Sequence, residues 1–166
     1  LFHCSGFAVR NDASADGRVL HARVLDYMHG IGLQNHAVIV LWMPEGNHAW
    51  LSLGYAGFIG TVTCMNEHGL AMGELGGGGE GDWDGMPMNF LMRAVMETAQ
   101  TVPEALKLMR ETPRTCEYYY VLSDRDRAMA GVHATSETFR VMKPGRQQEE
   151  LPPVPADVVL LSSGQR

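Results

Sequence analysis

The chain has 166 residues and a mass of 18.3 kDa, with 45% of residues hydrophobic and 19% charged. That is a globular balance in an amount suited to one domain spanning 1–166, and it excludes wholesale disorder. A net charge of −6 with two lysines, Lys107 and Lys143, leaves no basic face for nucleic acid or an anionic membrane. The longest apolar run, Ala37 to Met43, has seven residues, against the ~20 a membrane-spanning helix needs.

Strand patterns fill the first half. Cys4 to Arg10 alternates, with Phe7 and Val9 on one face and Cys4, Gly6 and Ala8 on the other. A turn ending in Asp16-Gly17 leads into a returning strand over Val19 to Leu25. Ala37 to Met43 reads as a buried strand, turned by Pro44-Glu45-Gly46-Asn47 into Ala49 to Leu53. Thr61 to Met65 and Leu70 to Leu75 follow, joined by Asn66-Glu67-His68-Gly69.

The period then changes. Met88, Leu91, Met92, Val95, Met96 and Ala99 form one face of an amphipathic helix, with Pro87 in its first turn. Thr101-Val102-Pro103-Glu104 has the form of a capping box and starts a second helix to about Glu111, stopped by Pro113. Strands resume at Glu117 to Leu122, Ala128 to His133 and Thr138 to Met142 as a meander, and a last apolar run covers Val158 to Leu161. Strands, two adjacent helices and strands again predict helices laid on antiparallel sheet, an α+β fold.

Several motifs have plain structural readings. Gly76, Gly78 and Gly81 match a dinucleotide fingerprint, but a run of four glycines makes the match nearly automatic, and no lysine stands nearby for a phosphate loop. A tight turn, or backbone N–H groups offered to an oxyanion, fits better. Glu80, Asp82 and Asp84 imitate a calcium loop, yet Leu91 stands where its bidentate acid belongs. No metal site is expected, since none of the seven histidines pair at zinc-ligand spacing on one element. Cys4, Cys64 and Cys116 are odd in number, so one thiol is free, which favours a reducing, cytoplasmic setting. The start at Leu1 and the stop at Ser162-Ser163-Gly164-Gln165-Arg166, directly after the run Val158 to Leu161, read as a truncated chain.

The chemistry concentrates at the front. A cysteine at a chain start can use its own α-amine as base, with a reference pKa of about 7.7–8.0. An arginine beside a thiol favours the nucleophilic thiolate. His21-Ala22-Arg23-Val24-Leu25-Asp26-Tyr27 on the second strand supplies an arginine and, three residues on, a carboxylate to orient the amine.

Together these segments resemble the cysteine N-terminal nucleophile (Ntn) hydrolases. The likeness is to the acyl-CoA:6-aminopenicillanic-acid acyltransferase family, with choloylglycine hydrolases and penicillin V acylases as more distant relatives. Those families show a Cys-Ser/Thr start, an Asp-Gly turn, an H-G-R-N-x-D-W/F strand and a G-x-N-E-K-G-L stretch. Here they correspond to Cys4-Ser5, Asp16-Gly17, His21 to Tyr27, and Cys64-Met65-Asn66-Glu67-His68-Gly69-Leu70. Val24 stands in place of the family's Asn, and His3 in place of the Gly before the nucleophile.

The resemblance implies a four-layer αββα sandwich, incomplete toward the C-terminus. It implies an amidase or acyltransferase acting on a linear, non-peptide C–N amide bond through a thioester, without a cofactor. Cys4 is the expected nucleophile, freed by autoproteolysis that removes Leu1 to His3. Arg23 would polarise the thiol, Asp26 would hold the amine, and the backbone N–H of Gly76 or Gly77 would form part of the oxyanion hole. Asn66 is a turn residue first and a site support second. The expected partner is a small-molecule amide or acyl donor, with self-association into a homo-oligomer. Two rivals stand beside this reading: a Cys–His thiol hydrolase using His21 or His133, and a non-catalytic homologue with Cys4 as a core thiol.

Overall fold

The structure, a computed structural model, describes residues 3–78, 83–146, 151 and 153–163. Strand β1 (His3–Asn11) pairs antiparallel with β2 (Gly17–Asp26), Cys4 opposite Leu25 and Gly6 opposite Arg23. The hairpin closes where Gly17 takes a left-handed conformation at φ 71°, which costs glycine little. Asp16 Oδ1 accepts from Ser14 Oγ and from the Arg18 amide across the same turn. On the other side of β1 lies β10 (Val158–Ser162), so the chain's last strand flanks its first in a three-stranded sheet ordered β10-β1-β2.

A second sheet carries seven antiparallel strands in chain order. They are β3 (Ala37–Trp42), β4 (Trp50–Tyr55), β5 (Thr63–Asn66), β6 (Ala71–Gly76), β7 (Tyr118–Ser123), β8 (Met129–Ala134) and β9 (Phe139–Met142). Helices α1 (Met88–Thr98) and α2 (Val102–Glu111) fall between β6 and β7. Pro87 is the N-cap of α1, and Thr101 caps α2 by accepting from the Glu104 amide at 3.4 Å. The Glu104 carboxylate reaches back to the Gln100 amide at 2.7 Å, so the capping box closes one residue further out than its usual form.

Strand alternation sorts the central strands onto two cores. Met72, Tyr120, Leu122, Ala130 and Val132 meet Leu91, Met92, Val95, Met96 and Met109 of the helices. Leu75, Val121 and Met129 meet Cys4, Ala8, Val159 and Leu161 of the small sheet. Each large side chain so buried contributes about 1.5–3 kcal/mol. The described layers are therefore helix, sheet, sheet. Among the described residues no helix covers the outer face of the small sheet, where Phe7, Leu20 and Val24 are exposed, and none is long and apolar enough to cross a membrane.

One strand departs from expectation. β3 is half-exposed rather than buried, with Ile39 68% exposed and Leu41 60% exposed. It is the edge of the wide sheet, and three strands facing seven leave β3 to β5 uncovered on that side. The run reads as buried because it is apolar throughout, but apolar sequence does not require a covering layer.

Candidate active site

Cys4 opens the central strand of the small sheet and points inward, 7% exposed, because it shares a face with Ala8. Gly6 sits opposite Arg23, so period-two alternation puts Arg23 on the Cys4 face of the hairpin. The Arg23 side chain is 2% exposed, and its guanidinium makes four hydrogen bonds. Nη2 donates to Cys4 Sγ at 3.3 Å and to Glu74 Oε2 at 3.0 Å, and Nε donates to the Glu74 carbonyl at 2.7 Å. Nη1 reaches Thr63 Oγ1 at 3.5 Å. The guanidinium fits because β6 has Gly73 at the crossing: a Cβ there would stand 2.9 Å from Arg23 Cγ.

Glu74 was not anticipated as a site residue. Its signal is one acid inside the apolar strand Ala71-Met72-Gly73-Glu74-Leu75, a placement that requires a partner. Burial pushes its carboxyl up to about 7, with Arg23 pulling the other way. Ser163 was likewise unforeseen. Its Oγ accepts from the Cys4 backbone N at 3.0 Å, and its amide donates to the Cys4 carbonyl at 2.9 Å. No local pattern reveals a partner 159 residues away.

The other anticipated residues fare differently. Asp26 is exposed and opposes His3, and three residues from Arg23 it falls on the opposite face of β2. Among the described residues the Asp26 carboxylate has no hydrogen-bond partner. Asn66 is a structural clamp rather than a site support. Its Nδ2 donates to the Met96 and Ala99 carbonyls at the end of α1, and its Oδ1 accepts from the His68 and Leu70 amides. Gly77 is not an oxyanion donor here, since its N–H is already donated to the Glu117 carbonyl at 3.1 Å. It must be glycine for another reason: a Cβ would collide with the Glu117 main chain. Gly76 ends β6 opposite Tyr118. Leu1, Phe2, Gly81 of the fingerprint, and Glu80 and Asp82 of the calcium-loop imitation lie outside the described residues; Gly78 is described, and its N–H donates to Glu117 Oε2 at 3.1 Å.

Neither rival base contacts the thiol. His21 Nδ1 pairs with Ser123 Oγ at 2.8 Å, and burial holds its imidazole down at about 4. His133 Nε2 pairs with Glu117 Oε1 at 2.7 Å. The histidines do pair elsewhere, across two elements rather than on one: His48 and His68 stand 3.1 Å apart across neighbouring hairpins. A cleft of about 980 Å³ runs between β2 and the uncovered strands, lined by Leu20, His21, Ile39, Leu53 and Met65. Thr63, on its wall, leads to Arg23.

Stacked antiparallel sheets, helices on one outer face and an inward cysteine at the start of a central strand define the Ntn-hydrolase fold. The structure of a Caenorhabditis elegans N-acylethanolamine-hydrolyzing acid amidase ortholog superposes with a TM-score of 0.69 and 16% identity, covering 96% of this chain and 70% of that one. The chain belongs to the acyl-coenzyme A:6-aminopenicillanic acid acyl-transferase family, which it matches over residues 14–147, a span that begins after Cys4. Protein dcd1A of Dictyostelium discoideum is 28% identical over 153 residues, 83% of this chain and 34% of that protein. The N-acylethanolamine-hydrolyzing acid amidase of Oryctolagus cuniculus is 25% identical over 119 residues, 64% of this chain and 32% of that protein. The chain thus spans about a third of the length of these curated relatives.

Proposed function

We propose that this chain carries the nucleophile of a cysteine amidase or acyltransferase acting on linear amide C–N bonds. The observation that carries the reading is the Arg23 guanidinium held between Cys4 Sγ and the buried Glu74 carboxylate. A cation fixed on a thiol stabilises the negative charge that sulfur carries once its proton has left, and so favours the nucleophilic thiolate.

Activation comes first. Cys4 Sγ adds to the His3 carbonyl carbon, the His3–Cys4 C–N bond breaks, and the thiol proton goes to the departing nitrogen. Water then hydrolyses the thioester, restoring the thiol and leaving Cys4 with a free α-amine. That amine lies against Ser163 Oγ, with Asp26 across from the strand end that His3 vacates.

Turnover follows the same chemistry on a substrate. The amine takes the thiol proton, Sγ attacks the amide carbonyl, and the amine returns the proton to the leaving nitrogen. Water, or an acceptor amine, releases the acyl group from sulfur. The Gly76 N–H serves the oxyanion. The apolar cleft beside β2 suits an acyl chain, and the amidase relatives suggest fatty-acyl ethanolamides as a first substrate series.

The test is intact mass and N-terminal sequencing of active full polypeptide, with fatty-acyl ethanolamide hydrolysis as the assay. The mature chain should begin Cys-Ser-Gly-Phe, and Cys4→Ala should stay unprocessed and inactive. Activity in a chain that retains His3 overturns the mechanism.

A further inference from the structure

The turn between β3 and β4 and the turn between β5 and β6 lie side by side at one end of the wide sheet. The Glu67 amide donates to the Ala49 carbonyl at 2.9 Å, which ties the two turns through backbone, and the Ala49 amide donates to the Glu67 side-chain Oε1 at 3.0 Å. The His48 amide is tied to the Glu97 carbonyl of α1 at 3.0 Å, and the His68 amide to Asn66 Oδ1 at 3.1 Å. Three side chains converge on the space between. His48 Nδ1 is 3.1 Å from His68 Nε2 and 3.9 Å from Glu67 Oε1, and the three ligand atoms all lie within 4.8 Å of one another.

We infer that His48, Glu67 and His68 form a binding site for a divalent transition metal of the zinc type, separate from the Cys4 site. Tetrahedral zinc with bonds of about 2.0–2.1 Å places neighbouring ligand atoms about 3.3 Å apart. The nitrogens are already at that spacing, and the carboxylate oxygen, 3.9 Å from His48 Nδ1 and within 4.8 Å of His68 Nε2, closes on them by a movement of up to about 1.5 Å on an exposed side chain. Two imidazoles and one carboxylate leave the fourth position to water. The backbone locks hold both loops in place before metal arrives, so little ordering remains for the ion to impose. Bound metal would cross-link the two hairpins and add to the stability of the β4–β5 region, in proportion to occupancy.

Equilibrium dialysis of the folded full polypeptide against Zn²⁺, with its reactive thiols alkylated and buried Cys64 left as it is, should find one ion per chain. Co²⁺ should give visible d–d absorption without a thiolate charge-transfer band. His68→Ala should weaken zinc binding by at least the roughly 10–100-fold that loss of an outer-shell partner costs, and Glu67→Gln should weaken it by less. Glu67 is exposed, so its variant keeps the test decisive if the histidine change unfolds the chain. Zinc binding that survives both changes, a thiolate band that appears with Co²⁺ before alkylation and takes all binding with it, or no binding at all would each overturn the site.

Discussion

Arg23 holds Glu74 by two different atoms, the carboxylate through Nη2 at 3.0 Å and the main-chain carbonyl through Nε at 2.7 Å. The carbonyl bond aims the guanidinium even when the carboxyl is neutral, and leaves Nη2 free to reach the thiol as well. Lysine has one nitrogen and cannot make this fork. Arg23→Ala strands a buried acid and should cost about 3–5 kcal/mol in urea denaturation. Arg23→Met combined with Glu74→Leu should recover most of that loss, since a buried pair is often replaceable by apolar bulk. Strictly additive losses in the double variant would show that the two side chains are not coupled.

Glu74 and His21 bend the stability curve in opposite directions. The folded state holds the Glu74 proton to about 7, while an unfolded carboxyl releases it near 4.5. Stability from this group is full below 4.5 and is lost as pH rises to 7. His21 is the reverse: unfolded imidazole takes a proton near 6.5, and the folded one resists until about 4. Its contribution is full above 6.5 and is lost as pH falls to 4. Each slope amounts to roughly 3 kcal/mol across its window. The wild-type profile between pH 4.5 and 6.5 should therefore be nearly flat, rising with pH in Glu74→Gln and falling in His21→Gln. Parallel profiles for all three proteins would remove the assignment.

Gly73→Ala isolates the placement of Arg23 from its charge. The new methyl would stand 2.9 Å from Arg23 Cγ and must push the side chain off β6. The expected outcome is a folded protein, with Cys4 alkylated by iodoacetamide several-fold more slowly at neutral pH. Cys64 serves as the internal control, because burial pushes its thiol up to about 12 and keeps it inert until unfolding. Unchanged Cys4 kinetics in a folded Gly73→Ala protein would mean that Arg23 does not govern the thiol.

What was legible in the sequence was local. The apolar face of α1 and its partner α2 follow from a 3.6-residue period, and the β7-β8-β9 meander from short runs between turns. Cys4 and Arg23 were reachable because a hairpin brings them together across a short turn. Glu74, Ser163 and the His48–His68 pair were not, because each depends on strands that meet only in the folded sheets. Alternation, applied strictly, would have separated Arg23 from Asp26: an odd spacing on a strand means opposite faces. β3 misled for a different reason, since an apolar edge strand and an apolar buried strand have the same composition.

That separation sharpens the test of Asp26. It cannot join the Arg23–Glu74 pair while β2 stays regular, and it is exposed. The role proposed for it has to be exerted from the strand end, where its register partner is His3. Removing His3 takes away the residue across from Asp26 and creates a free α-amine one position along β1, charged once it has taken the thiol proton. A carboxylate there can orient the amine, while Ser163 Oγ holds it from the β10 side. Asp26→Asn should change stability by no more than about 0.5 kcal/mol, as for other exposed positions. It should lower kcat by 10²–10⁴-fold if it positions the proton-transferring group. Ser163→Ala, which loses a buried hydrogen bond, should cost about 1 kcal/mol of stability and less turnover. Both are read on processed protein, by kcat and by urea midpoint. A folded, fully active Asp26→Asn enzyme would leave Ser163 to hold the amine without it and end the role proposed for the carboxylate.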